Sequence, residues 1–150
     1  MKPLILSLLL VLSCSVGWAG EVVAQSSVGD YSIPVQTLVL EAGGEGFLGM
    51  VAVGEVIRNR AFKAHLSPEQ VVMMPKQFSC WNKPLIAQKA LSRVSDKTLQ
   101  VARQAWDGSR TLLQTRGSTH YCTLDTYPYW AVGHVPAVII GHHKFYNDVK

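Results

Sequence analysis

Two glutamates four residues apart, in the stretch LEAGGEG at positions 40–46, are the first residues whose types and spacing suggest chemistry. Val35, Leu38, Val39 and Ala42 recur at helical spacing. Glu41 lies on the flank of that stripe, so it should border a core. Partial burial disfavours a charged carboxylate, and the negative end of a helix dipole acts in the same direction. A carboxyl group so perturbed suits general acid work near neutral pH, and glycosidic cleavage places such a group on the leaving oxygen. Gly43 and Gly44 remove side chains where a bulky sugar would approach. A plain helix-end residue is the bland alternative for Glu41. Glu45 reads as a loop or capping residue, a partner for Glu41, a substrate contact or a second carboxylate.

Further along, QFSCW at 77–81 gathers an amide, an aromatic ring, a hydroxyl and an indole in Gln77, Phe78, Ser79 and Trp81. His120 and Tyr121 in STHY, and Trp130 in YPYW, add polar aromatics. Sugars are held by aromatic faces against their C–H surfaces and by amides and hydroxyls against their own hydroxyls. An aromatic core plug is the alternative for QFSCW, and plain packing for the others. His120 and Cys122 are two apart, so on a strand they share a face. With His134, His142 or His143 they could form a zinc site with an open water position, the equipment of an amidase.

The elements that must position these residues begin with the helix over 35–42, which Gly43 and Gly44 would end through a left-handed cap. LGMVAVGEVIRNRAF at 48–62 is apolar on most sides, with Met50, Val53, Val56 and Ile57 on one stripe, and predicts a central buried helix. Gly49, Ala52 and Gly54 would let a second helix approach closely. Ser67, Pro68 and Gln70 form a capping box opening a helix over 66–74. Ser95 caps a further helix to Gly108, with Leu99, Ala102 and Trp106 as its stripe. The last third, with GSTHYCTL and VPAVIIGHHKFY, reads as short strands. Helices followed by strands indicate an α+β domain, with helices in the N-terminal two-thirds and a small antiparallel sheet in the C-terminal third.

Residues 1–19 have the layout of a secretory signal: Lys2, an apolar run too short to span a bilayer comfortably, then Gly17 and Ala19. An exported protein is expected, in the periplasm or outside the cell, with no stable membrane insertion after cleavage. A lipid anchor through Cys14 and a signal-anchor of the kind some phage endolysins release are the alternatives. Residues 20–33 read as a flexible arm and 34–150 as one domain. Among 150 residues there are 14 Lys and Arg against 10 Asp and Glu. This mild basic excess suits an anionic polymer such as a bacterial wall. The cations are scattered, with no nucleic-acid stripe. Loss of the leader would leave two cysteines, Cys80 and Cys122, and an even pair in an exported protein predicts a disulfide.

In order, EAGGEGFLGMVAVGEVIRNR, QFSCW, STHY with the later YW, and IGHHKFY resemble the SleB-type, spore-cortex-lytic cell-wall hydrolases over roughly positions 35–147. The resemblance implies a compact lysozyme-like α+β domain that cuts peptidoglycan glycan strands between N-acetylmuramic acid and N-acetylglucosamine. It places the catalytic glutamate at Glu41 and the family's second glutamate at Glu45. Some members are lytic transglycosylases, in which one acid/base Glu serves and the muramyl 6-hydroxyl closes an anhydro ring. Gly43 stands where an Arg is common in the family, and YCTLDTYPYW replaces an aromatic and Asn stretch. The expectation is a transglycosylase with Glu41 catalytic and Glu45, Gln77, Phe78, Ser79, Trp81, His120, Tyr121 and Trp130 contacting substrate, without metal or cofactor. A muramidase cutting the same bond is the alternative. A zinc amidase and a non-catalytic wall-binding module are the remaining readings.

Overall fold

A computed structural model describes residues 27–149. The expected leader at 1–19 lies outside the described residues, as does the first half of the expected arm, 20–26. The end of that arm is folded: a short 3-10 turn spans Val28–Asp30, and Tyr31 is buried in the core. Five helices follow: α1 (Ile33–Ala42), α2 (Gly46–Ala64), α3 (Pro68–Met73), α4 (Pro84–Leu91) and α5 (Asp96–Gly108). Then come three strands: β1 (His120–Thr123), β2 (Val138–Ile140) and β3 (His143–Tyr146). They form one antiparallel sheet in the order β1-β3-β2, as the α+β reading expects.

α2 is the axis of the domain, and its all-round apolarity has a cause. Met50, Val53 and Ile57 join Leu38 of α1, Val72 of α3 and Leu99 of α5 in the main core. Ala52 and Val56 point the other way and bury Phe145 of β3. A fully buried side chain of this size contributes roughly 1.5–3 kcal/mol, so both contacts matter. The run from 33 to 64 is long and apolar enough to pass for a membrane span, but here it is a pair of helices packed within the core. Gly54 fulfils the expected close approach: a Cβ there would stand 2.9 Å from Ser109 Cβ, just beyond α5.

The capping box at Ser67 forms with both of its hydrogen bonds, and Ser95 caps α5 by accepting from Thr98 N. Two details differ from the sequence reading. Gly43 is right-handed helical at the end of α1, the chain continues as a 3-10 turn over Gly43–Glu45, and Gly46 takes the left-handed φ of 69°. The left-handed residue therefore serves as a hinge into α2 and not as the cap of α1. α4 was not expected, because only Ala87 and Leu91 of it are buried while Leu85 and Ile86 face outward.

The polar end of α2 staples the fold's second half. Glu55, buried in the apolar helix, accepts from Gln114 N at 2.6 Å, Thr115 N at 2.7 Å and Thr115 Oγ1 at 2.7 Å. Arg58 donates to Ser109 Oγ and Trp106 O and lies 3.6 Å over the Trp106 ring. Asn59 donates to Ser118 O and Arg60 to Thr119 O. These bonds fix the loop that delivers β1, and with it Tyr121, to the end of α1.

The expected Cys80–Cys122 disulfide is corrected by the structure, where both are free thiols. Strand alternation is the reason. Tyr121 faces Glu41 and the Cys80 side, so Cys122, the next residue, faces away. Cys122 packs with Tyr146, Ala131 and Val149, and its thiol points at Thr126 O, 3.7 Å away.

Candidate functional site

Glu41 stands at the last turn of α1, partly buried, between the 3-10 turn Ser79–Asn82 and β1. Its Oε1 accepts the backbone N–H of Cys80 at 3.1 Å, and its Oε2 accepts the Tyr121 hydroxyl at 2.9 Å. Burial, then the negative charge of Glu41, holds the Tyr121 hydroxyl well above its ordinary pKa. The Cys80 thiol is pushed up by the same two causes in the same order. Both groups therefore stay protonated at neutral pH and remain donors. Every one of these bonds fixes the direction in which Glu41 presents its oxygens.

A groove of about 310 Å³ opens on this carboxylate. Gln77, Ser79, Tyr121, Arg60 and His143 line it, and among the described residues Glu41 is the one carboxylate that does so. Arg60 is held by Thr119 O and by the carbonyl and side-chain oxygens of Gln77, and its guanidinium sits 5.1 Å over Phe78. Burial lowers the Arg60 pKa, while the nearby Tyr121 and Glu41 act against that shift. Tyr121 is itself packed: it stacks on Phe145 at 5.7 Å and meets His143 edge-on at 5.3 Å.

The residues expected to contact substrate divide into four groups. Gln77, Ser79 and Tyr121 are gathered around Glu41. Phe78 is buried in the main core, and the Trp81 indole donates to Thr37 Oγ1 at 2.9 Å while packing on that core. These two anchor the wall and do not line the groove. His120 and Trp130 lie on the other face of the sheet, 5.1 Å apart in a tilted ring contact. Glu45 accepts from His142 N at 2.8 Å and faces His142 Nδ1 at 3.2 Å, tying the start of α2 to the β2–β3 turn. Gly141 in that turn has φ 57°, and a Cβ there would collide with Glu45 Oε2.

Sequence reading missed Arg60 and Glu55, and treated His143 only as a zinc ligand. His143 alternates with Phe145 on the face that carries Tyr121, which is the signal that could have found it. It is buried, and its Nδ1 has no hydrogen-bond partner among the described residues.

The donors of an amidase site are dispersed. His120 Nδ1 is 3.1 Å from Thr119 Oγ1, His134 pairs with Asp148 at 3.0 Å, and His142 pairs with Glu45. His143 lies across the sheet from Cys122. Among the described residues no three His, Cys, Asp or Glu side chains come together as a metal site.

Known proteins agree with this architecture. The catalytic domain of the Bacillus cereus SleB protein is 26% identical over 77% of this chain and 91% of its own, with a TM-score of 0.55. The catalytic domain of the germination-specific lytic transglycosylase SleB from Bacillus anthracis is 25% identical over 81% of this chain and 99% of its own, with a TM-score of 0.59. No curated protein matches. A family model described as cell wall hydrolase matches residues 44–146, beginning three residues after Glu41 and taking in Gln77, Tyr121 and His143. With its fold shared with those catalytic domains and most of its length matched by the family model, this chain belongs to the SleB-type cell wall hydrolase family.

Proposed function

We propose that this cell wall hydrolase cleaves peptidoglycan glycan strands between N-acetylmuramic acid and N-acetylglucosamine as a lytic transglycosylase, with Glu41 as its acid and base. One observation carries the reading: Glu41 is the single carboxylate lining the groove among the described residues. Hydrolysis with inversion or retention ordinarily needs a second carboxylate, to activate water or to attack the sugar. Glu45 is engaged with His142, and Asp125 is on the exposed turn after β1. Neither lines the groove.

In the proposed reaction Glu41 gives its proton to the glycosidic oxygen as the bond from the muramyl C1 breaks. The N-acetylglucosamine hydroxyl leaves. The Glu41 carboxylate then takes the proton of the muramyl 6-hydroxyl, whose oxygen closes on C1 to give a 1,6-anhydro ring. Atoms balance without water, and Glu41 ends as it began, protonated. Tyr121 and Cys80 hold the carboxylate on one line for both transfers, the positional requirement of general acid–base catalysis. Gln77 and Ser79 present an amide and a hydroxyl to the sugar. That the similar catalytic domain from Bacillus anthracis belongs to a lytic transglycosylase supports the same chemistry.

Digestion of peptidoglycan in ¹⁸O-labelled water tests it. Unlabelled anhydro-muramyl ends are expected. Label at new reducing ends would identify a muramidase instead.

A further inference from the structure

A second concavity lies against the Glu41 groove and shares its Arg60 and Gln77. Its volume is about 420 Å³, within the range of ligand sites. Val71, Met74 and Val149 supply apolar walls, while Arg60, Lys63 and His120 supply cationic or titratable groups. None of the residues lining it is acidic. Burial first, and then the charges of Arg60, Lys63 and His134, hold the His120 imidazole below its ordinary pKa. Apolar walls with a cationic rim complement an aliphatic chain that carries carboxylates. A neutral glycan has no such groups. The muramyl units of peptidoglycan do, because each bears on its lactyl arm a short peptide with free glutamyl and terminal carboxylates. That arm projects sideways from the strand, and this cavity lies beside the groove.

We propose that the cavity bounded by Arg60, Lys63, His120, Val71, Met74 and Val149 binds the acidic peptide stem of the substrate, so that the enzyme prefers stem-bearing to stem-free glycan. This rests on the glycan reading of the Glu41 groove for its location, and on the cavity's own charge and shape for its ligand. Lys63 sets the preference: it is exposed on the last turn of α2, so its substitution leaves the core intact.

The probe is the synthetic tripeptide L-alanyl-γ-D-glutamyl-meso-diaminopimelate, titrated into the purified chain and followed by NMR or calorimetry. Saturable binding is expected, weakened about tenfold by Lys63→Glu and about tenfold when the peptide carboxylates are amidated, the effect of losing one charge-assisted contact. On strands with and without stems, the wild-type KM should be lower for the stem-bearing substrate, and Lys63→Glu should erase the difference without changing KM for bare glycan. Absence of saturable binding, equal binding to wild type and Lys63→Glu, or equal binding of the amidated peptide overturns the proposal. Peptide binding needs no catalysis, so a chain that binds the stem yet cuts no glycan overturns the transglycosylase reading alone. A chain that cuts both substrates with equal KM overturns the stem site alone.

Discussion

Glu41 and Glu45 are four residues apart and of one chemical type, yet the fold gives them opposite tasks. Glu41 ends α1 and opens onto a groove, with its two oxygens held by Cys80 and Tyr121. Glu45 begins α2 and is spent on His142 across the sheet's β2–β3 turn. Between the two glutamates the chain winds through a 3-10 turn, and the left-handed Gly46 just after Glu45 directs it into α2. The difference teaches that a pair of carboxylates close in sequence is not a catalytic pair unless both face one cavity. A third glutamate, Glu55, extends the contrast: it is fully enclosed and satisfied by three donors from one loop.

The largest effect is expected at Glu41. Glu41→Gln keeps shape and removes the transferable proton, so glycan cleavage should fall by about a thousandfold or more, while the melting temperature stays within a few degrees. Release of muropeptides, measured beside a thermal melt, checks it. Retention of most activity would remove Glu41 from the mechanism. Next comes Glu55→Gln, where the amide group must face donors that a carboxylate accepted. A buried hydrogen-bond network broken in this way costs about 3 kcal/mol, read as a drop of roughly 10 °C in melting temperature. The activity per folded molecule should change little. An unchanged melt would show that the loop at 114–115 is held by something other than Glu55.

Much of this was legible in the sequence, and what was not had physical causes. α2, α3 and α5 were readable because their caps and stripes agree: Ser67 with Gln70, Ser95 with Thr98, and an apolar run too continuous for a surface helix. α4 was not, since an eight-residue helix with two buried residues has almost no stripe to read. The aromatic motif QFSCW marked the right place, but its parts turn different ways: Gln77 and Ser79 to the groove, Phe78 and Trp81 to the core. The even cysteine count misled because pairing depends on strand faces, and Tyr121 takes the face that Cys122 would need. Glu55 left a signal that went unused, a lone carboxylate in the apolar stretch from Leu48 to Ile57. A charge there must be paired or expelled.

A smaller effect sharpens the account of how Glu41 is held. Tyr121→Phe deletes the hydroxyl that donates to Oε2 and keeps the ring stacked on Phe145. We expect kcat to fall about tenfold, which is about 1.4 kcal/mol of transition-state stabilisation, with KM unchanged. A structural role alone would lower the melting temperature and leave kcat per folded molecule intact, so the two measurements together separate positioning from packing.

The smallest effect belongs to Glu45, and its pH dependence is the signature. The His142 backbone N–H, followed by the hydrogen bond and charge of the His142 ring, lowers the Glu45 pKa from its ordinary 4.5 against the opposing effect of burial. A carboxylate depressed on folding stabilises the fold fully above its unfolded pKa, and that stabilisation is lost as pH falls through the folded value. At pH 7 Glu45→Gln should therefore cost about 1 kcal/mol, the usual worth of a hydrogen bond to a charged group at a wet surface. As the pH falls through the lowered folded value, wild-type Glu45 takes up its proton, and the two melting curves should converge. Catalysis should follow a different course, because Glu45 does not line the groove: kcat at pH 7 should stay within about twofold of wild type, a difference of under half a kcal/mol. Urea denaturation of wild type and Glu45→Gln at pH 7 and pH 3, beside muropeptide release at pH 7, reads both quantities. A gap that persists undiminished at pH 3 would show that the carboxylate's charge is not what ties α2 to the β2–β3 turn. A large loss of kcat with an unchanged melt would instead return Glu45 to the chemistry and undo the division between the two glutamates.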